Sequence, residues 1–309
     1  MYWQTSRFQI DLSIPKVMGI VNTTPDSFSD GGAHASTTAA IRHCEQLLGG
    51  GADILDIGGE STRPGATALS LENELARVLP VVRHAVTLGV PVSVDTYKPA
   101  VMQAVLDLGV DIINDVWALR WRDPLDGLSG EAVVAAHASC GVCLMHMYRE
   151  PQTMQVAPMD GDVVPQVLYF LELRAQRLLG LAVDASRICL DPGIGFGKTV
   201  AQNFALLARQ TELLSLGYPL LTGWSRKSSL SAVAARPLDP AAPMNIHDRL
   251  VPSVTAAVLA VQNGASVVRV HDVKETVQAL KILAAMQAQR QQKLPYQTTQ
   301  RNKTMTTGS

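Results

Sequence analysis

Arg269 and His271 stand two residues apart in the apolar run 266–273, so in an extended strand both cationic side chains leave the same face. A buried strand excludes charge unless something pairs with it, because an isolated buried ion costs far more than the burial of one strand's apolar side chains returns. The pair therefore predicts an anion site, with a ligand as the expected partner. Trp224-Ser225-Arg226-Lys227-Ser228, just after another apolar run, adds two cations and two hydroxyls. A neighbouring carboxylate would satisfy any one of these cations, but several converging from adjacent strands repel one another unless an anion joins them. Asn22, Glu60, Asp95, Asn114, His146, Asp191 and Lys227 each end, or closely follow, a short Val/Ile/Leu-rich run. One pocket assembled from many strands is the expectation.

The connecting segments carry further chemistry. Residues 22–32 are dense in turn formers and carboxylates with a lone aromatic, Phe28. They are long beside the roughly 2–6 residues of most strand-to-helix loops, as binding loops and lids tend to be. Residues 58–65 bring glycines that let backbone approach a ligand, the hydroxyls of Ser61 and Thr62, and Arg63 followed by Pro64; the planar fork of Arg63 suits a diphosphate. Asp95 and Asn114 are either pocket groups or side chains bonded to nearby backbone, and His146 is either a site residue or a satisfied core histidine. The stretch 191–199, Asp-Pro-Gly-Ile-Gly-Phe-Gly-Lys-Thr, lacks the glycine that a phosphate-binding P-loop needs six positions before its lysine, since Pro192 stands there. Asp191 is expected to face the pocket, with the glycines and Phe196 shaping a wall. Cys140 and Cys143 have CxxC spacing, but no second pair or neighbouring histidines complete a metal tetrahedron, so Cys44, Cys140, Cys143 and Cys189 are expected to be reduced, buried thiols.

These groups need a scaffold. Apolar runs that suit buried parallel strands occur at 16–22, 53–58, 91–95, 111–115, 142–147, 188–191, 219–224 and 266–273, and helical periodicity fills 71–88, 99–108, 163–181, 254–263 and 274–289. Eight alternating units within 309 residues predict an α/β fold, a single closed (β/α)8 TIM barrel, whose active site lies at the C-terminal strand ends where the polar residues fall. Gly51, Gly109 and Gly264 read as helix caps feeding the next strand. Residues 1–15 are expected to close the lower end, 16–290 to form the barrel, and the polar, aperiodic 291–309 to be a disordered tail. A net charge of -1 and a pI near 6.7 provide no field for nucleic acid or a membrane surface. No signal core or membrane span is present, and the cytoplasm is the expected location.

The segments 18–32, 53–65, 93–95, 113–115, 144–147, 190–198, 225–228 and 269–273 occur in order on successive expected strands, and together they resemble bacterial dihydropteroate synthase over residues 16–285. The resemblance implies a transferase that joins 6-hydroxymethyl-7,8-dihydropterin diphosphate to 4-aminobenzoate and releases diphosphate. Asp191 matches the carboxylate that accepts from the pterin N3–H and 2-amino group, Asp95 and Asn114 match contacts to the rest of the pterin edge, and Lys227 matches the donor to its carbonyl oxygen and N5. Thr62, Arg269 and His271 match the diphosphate contacts, and Asn22 matches the ligand of a Mg²⁺ ion. Arg63, Lys227, Arg269 and His271 are the expected catalytic groups, and Phe28, Ser61, Pro64, Phe196, Lys227 and Ser228 the expected aminobenzoate pocket, which sulfonamides should contest. Departure of the Mg-bound diphosphate before amine attack needs no strong general base.

The resemblance also implies a homodimer. Two departures stand out: Val251-Pro252-Ser253 replaces the usual Gly-Ser/Thr before a late helix, although proline is tolerated in a first turn, and the loop 118–130 has an uncommon form. A cobalamin-linked folate methyltransferase shares the pterin contacts but needs no diphosphate groups. The other alternative is a catalytically silent paralogue that binds a pterin.

Overall fold

The computed structural model describes residues 1–23, 32–61, 68–150, 153–154, 156–235 and 244–291. Two short antiparallel strands, β1 (Tyr2–Gln4) and β2 (Gln9–Asp11), precede eight parallel ones: β3 (Lys16–Asn22), β4 (Ile54–Gly58), β5 (Val92–Asp95), β6 (Ile112–Asp115), β7 (Gly141–Met145), β8 (Ile188–Asp191), β9 (Leu221–Thr222) and β10 (Val267–Val270). Between and after them run α1 (Gly32–Gly49), α2 (Leu71–Ala85), α3 (Pro99–Asp107), α4 (Gly130–Ala136), α5 (Val163–Leu179), α6 (Val200–Ala208), α7 (Ser228–Ala234), α8 (Leu250–Gln262) and α9 (Val273–Gln291). The sheet order is β8-β7-β6-β5-β4-β3-β10-β9. Its two edges meet where Leu190 bridges to Leu220, with the Leu190 N–H donating to Pro219 O at 3.0 Å, so the eight strands close into the expected barrel.

Strand alternation sorts side chains by face. Val17, Leu55, Val94, Ile113, Leu144, Leu190 and Val268 point outward and pack with the helices in the large core. Met18, Ile54, Ile112, Cys143, Cys189, Leu221 and Val267 point inward and pack with Trp3, Ile10 and Leu12 from the N-terminal segment. Trp3 is fully buried and donates its indole N–H to Arg187 O at 2.9 Å, and a Cβ at Gly141 would lie 3.1 Å from Gln4 O. The barrel's N-terminal end is thus filled with apolar side chains, which leaves its polar inward positions for the opposite end.

Helix-to-strand punctuation follows one device three times. Gly51, Gly109 and Gly264 adopt φ of 97°, 90° and 95°, and the N–H groups of Ala52, Val110 and Ala265 reach back to Leu47, Val105 and Ala260, as in a Schellman cap. Several strands are shorter than their apolar runs, β10 among them. In 219–224 only Leu221–Thr222 is regular, because Pro219 has no N–H to donate and the chain turns after Gly223, with Arg226 at φ 59° and the Lys227 N–H bonded to Trp224 O at 3.2 Å. Likewise β7 stops at Met145, although the His146 N–H still bonds to Asp191 O at 2.9 Å. Pro252 sits in the first turn of α8, which begins at Leu250, where a missing N–H leaves no helical bond unmade. All four cysteines are free and buried.

Candidate active site

Register aligns the inward polar residues at one level. Asn22 pairs with Gly58, Gly58 with Asp95, Asp95 with Asn114, and Met145 with Asp191. Arg269, on β10, crosses this floor. Its Nε donates to Asp56 Oδ2 at 2.6 Å and its Nη2 to Asp95 Oδ2 at 2.8 Å. Sequence reasoning expected a ligand as the partner of this cation; the structure adds that, within the protein, two carboxylates hold it. Burial disfavours the cation, but Asp56 and Asp95 outweigh that cost and raise its pKa further. Burial drives Asp95 up to about 7 against the pull of Arg269, with the charge of Asp56 adding to the rise.

Asp56 Oδ2 also accepts from Asn114 Nδ2 at 3.2 Å. That bond settles the two ends of the amide, so Asn114 retains its carbonyl oxygen and one N–H for a ligand. Across the floor, Asp191 Oδ1 accepts from the Gly193 N–H at 2.7 Å. Burial raises Asp191 to about 6, restrained by that N–H and by the charges of Lys227, Lys198 and Arg269. Lys227 places its ammonium 4.2 Å from the centre of the Phe196 ring, and Val116, Met145, Met147, Met154 and Phe196 form a buried apolar cluster alongside. The site therefore combines acceptors from Asp95, Asn114 and Asp191, a lysine donor and an apolar wall.

The strand ends at β9 and β10 are tied together. Ser225 Oγ lies 3.0 Å from His271 Nδ1 and accepts from the His271 backbone N–H at 3.1 Å, while Arg226 Nη2 bonds to Asp272 Oδ1 at 2.6 Å. Arg226, though a cation of the same segment, is thus spent on structure, and its N–H is held by Ser253 Oγ at 2.9 Å. Ser228 opens α7 directly after Lys227. At the rim, Lys98 is pinned between Glu60 and Glu74, the latter at 2.5 Å, and Thr96 Oγ1 donates to Glu74 at 2.6 Å. Glu60 is thereby part of a buried ion network at the root of the β4 loop, immediately before Ser61. The Thr23 N–H and hydroxyl both reach Gly58 O, at 2.9 and 3.1 Å, fixing the end of β3 next to Asn22.

The structure brings Asn22, Asp95, Asn114, Asp191, Phe196, Lys227, Ser228, Arg269 and His271 to the C-terminal end of the barrel. Phe28, Thr62, Arg63 and Pro64, and the tail beyond residue 291, lie outside the described residues. His146 is buried with its Nδ1 2.8 Å from Lys198 Nζ, as a core histidine with a partner; burial, then the charges of Lys198 and Arg120, lowers its pKa. The loop 118–130 is organised by Asp115, whose oxygens take the N–H groups of Trp117 and Leu119 at 2.8 and 2.7 Å, and Tyr97 packs edge-on to Trp121 at 5.4 Å. Sequence reasoning passed over Asp56 and Lys98. The signal for Asp56 was present, a carboxylate in the middle of the buried run Ile54–Gly58 with the same parity as Gly58.

Among the described residues no three His, Cys, Asp or Glu side chains group as a metal cage. A Mg²⁺ ion shared with substrate phosphates needs only one or two protein oxygens, and the amide of Asn22, half-buried at its strand end, is a donor of that kind.

Comparison with known proteins agrees with the barrel architecture. The model of a family described as pterin binding enzyme matches residues 18–271. The dihydropteroate synthase of Neisseria meningitidis serogroup B is 46% identical over 289 residues, covering 92% of this chain and 97% of that protein. Among solved structures, Xanthomonas albilineans dihydropteroate synthase with 4-aminobenzoic acid superposes with a TM-score of 0.83 at 44% identity, covering 93% of this chain and 99% of that one. The Burkholderia cenocepacia enzyme complexed with 7,8-dihydropteroate gives 0.82 at 45% identity, covering 94% and 98%.

Proposed function

Because the chain belongs to the dihydropteroate synthases of the pterin-binding enzyme family, we propose that it condenses 6-hydroxymethyl-7,8-dihydropterin diphosphate with 4-aminobenzoate to give 7,8-dihydropteroate and diphosphate. The observation that carries this reading is the donor and acceptor pattern of the pocket floor. Asp191, with one oxygen already engaged by Gly193, offers the other to two adjacent ring donors, the N3–H and 2-amino group of a pterin. Asn114, oriented by Asp56, offers one acceptor and one donor to the next part of that edge, and Asp95 accepts from the second ring. Lys227 donates to the carbonyl oxygen and N5. A bicyclic ring held along its polar edge lies against the apolar wall of Met145 and Phe196.

The diphosphate then falls to Arg269 and His271 from β10, with Thr62 and Arg63 from the β4 loop. His271 is oriented by its contact to Ser225, and Arg269 is held straight by two carboxylates. Asn22 would hold Mg²⁺, which when bound neutralises charge on the leaving diphosphate. The protein's own contribution is to place fixed donors where negative charge accumulates on the departing oxygen, while the ring, pinned at its far edge, delocalises the cation developing at its exocyclic carbon. The amine of 4-aminobenzoate attacks that carbon and loses its proton, with its ring in a pocket made by Phe28, Ser61, Pro64, Phe196, Lys227 and Ser228. The groups assigned to diphosphate favour this reading over a folate methyltransferase, which has no such leaving group to bind.

A second copy of the chain is the proposed partner. Leu259 on α8 and Ile282 and Met286 on α9 are exposed apolar residues, the last two one helical turn apart, and sedimentation at micromolar concentration would detect the dimer. No described helix is long and apolar enough to cross a membrane, and a cytoplasmic location is proposed. The test of function is Mg²⁺-dependent diphosphate release from the dihydropterin diphosphate, with and without 4-aminobenzoate. Release with stoichiometric dihydropteroate is expected; pterin binding without amine-dependent turnover would point to a silent paralogue, and no pterin binding would overturn the pocket.

A further inference from the structure

Lys198, at the end of the loop that follows β8, is 3% exposed, yet no step of the proposed reaction uses it. Its ammonium has an acceptor for each hydrogen: His146 Nδ1 at 2.8 Å, Gly193 O at 2.8 Å and Phe196 O at 3.1 Å, with His146 O near by at 3.4 Å. Burial lowers Lys198 to about 7 against the pull of Asp191; in its charged form it has three hydrogens and no acceptor. His146 Nδ1 then receives, which makes the ring neutral with its proton on Nε2. The surroundings agree, since burial and two neighbouring cations hold His146 far below the usual histidine range, and its ring packs edge-on to Phe170 at 4.9 Å.

These bonds join two separate elements. His146 follows β7, while Gly193 and Phe196 belong to the loop after β8. The two approach so closely that a Cβ at Gly193, where φ is 67°, would lie 1.8 Å from His146 O. Gly193 is the hinge of the arrangement: its carbonyl takes Lys198, and its N–H holds Asp191 Oδ1 at 2.7 Å. Phe196, whose carbonyl also takes Lys198, carries the ammonium of Lys227 over its ring. Asn203 Oδ1 secures the intervening Gly195 N–H at 2.8 Å.

We propose that Lys198 is a positioning residue for the reaction: seated on neutral His146, it locks Gly193 and Phe196 so that Asp191 turns its second oxygen to the pterin and Phe196 supports Lys227. The inference rests on the pterin-binding reading above. Its charge also acts through space. The charged groups facing Asp191 are Lys227 from the turn before α7, Lys198 from its own loop and Arg269 from β10. Asp191 and Lys227 face Lys198, and Arg120, from the loop after β6, faces His146 with Lys198. Removing the Lys198 charge takes away one of the cations that favour the Asp191 carboxylate, so the acid limb of pterin binding moves to higher pH.

The experiment titrates the full-length wild type, Lys198→Met, His146→Asn and His146→Leu with 6-hydroxymethyl-7,8-dihydropterin diphosphate by calorimetry, from roughly pH 5 to 8, where raised carboxylates titrate. Circular dichroism of each variant is recorded alongside. Lys198→Met is expected to bind about 10- to 100-fold more weakly, the range of one charge-assisted hydrogen bond, with its acid limb displaced upward. His146→Asn, which keeps an acceptor oxygen near the position of Nδ1, is expected to stay close to wild type, and His146→Leu to weaken like Lys198→Met. A folded Lys198→Met with wild-type affinity and an unmoved acid limb would overturn the inference. If Lys198→Met fails to fold, the histidine pair decides: equal affinities of His146→Asn and His146→Leu overturn it, and a clear difference supports it. Absence of pterin binding by the wild type would overturn the underlying reading and this inference with it, whereas wild-type binding indifferent to the variants would overturn the inference alone.

Discussion

Arg269 has two tasks that one substitution can separate. In Arg269→Met the bonds to Asp56 and Asp95, at 2.6 and 2.8 Å, disappear and leave two buried carboxylates facing each other. Breaking a buried pair costs about 3–5 kcal/mol. The guanidinium side chain is 21% exposed, so water can reach the gap, and the lower end, about 3 kcal/mol, is appropriate. At roughly 2–4 °C per kcal/mol for a large domain, the melting temperature should fall by roughly 6–12 °C. Turnover should fall for a different reason. Loss of one donor aimed at a developing anion costs about 2.7–4 kcal/mol, or roughly two to three orders of magnitude in rate.

Adding Asp56→Asn removes one stranded carboxylate. The double variant should regain at least half of the lost stability while turnover stays low. Scanning calorimetry reads the first quantity, and steady-state diphosphate release at saturating pterin and aminobenzoate reads the second. Near-normal turnover in Arg269→Met would refute the diphosphate role. Recovery of turnover together with stability in the double variant would show that Arg269 serves only to balance charge in the barrel floor.

Pterin affinity should depend on pH through Asp191, whose carboxyl titrates at about 6. The acceptor is the ionised form, so through this group affinity should fall about tenfold per unit below pH 6, beneath any step from Asp95, which burial raises to about 7; Asp191→Asn should remove the Asp191 step in a calorimetric titration. Gly193→Ala would place a Cβ 1.8 Å from His146 O at a φ of 67°; a melting temperature several degrees lower and loss of pterin binding are expected, and wild-type behaviour in both assays would contradict the described close approach. Sulfonamides should inhibit competitively against 4-aminobenzoate in the diphosphate-release assay. Inhibition that aminobenzoate does not relieve would remove Phe28, Ser61, Pro64, Phe196, Lys227 and Ser228 from that pocket.

The architecture was legible in the chain because a parallel barrel writes itself locally. Each strand is buried on both faces and reads as an apolar run, and each Gly51-type cap marks where a helix hands over to the next strand. The polar residues that interrupt these runs near their C-terminal ends, Asp95, Asn114, Asp191 and Arg269 among them, could be assigned to one end of one barrel from spacing alone, since side-chain direction in a strand alternates with fixed period. Proline at 252 was likewise interpretable, since a first helical turn leaves its N–H groups unused.

What sequence could not decide was pairing. Arg269 and Asp56 are separated by 213 residues, and only closure of the barrel shows that the expected ligand-facing arginine is already held by carboxylates. The same holds for His146 and Lys198: one looked like an open choice and the other like the remnant of a phosphate loop, and their contact turned both into a buried brace. Hydrogen bonds between side chains are set by distance and angle across neighbouring strands, whereas burial and periodicity are properties of a single segment. Thus the chain by itself marked polar residues such as Asp95, Asn114, Asp191 and Arg269 at the C-terminal ends of their strands, and the tertiary structure decided which of them bind one another.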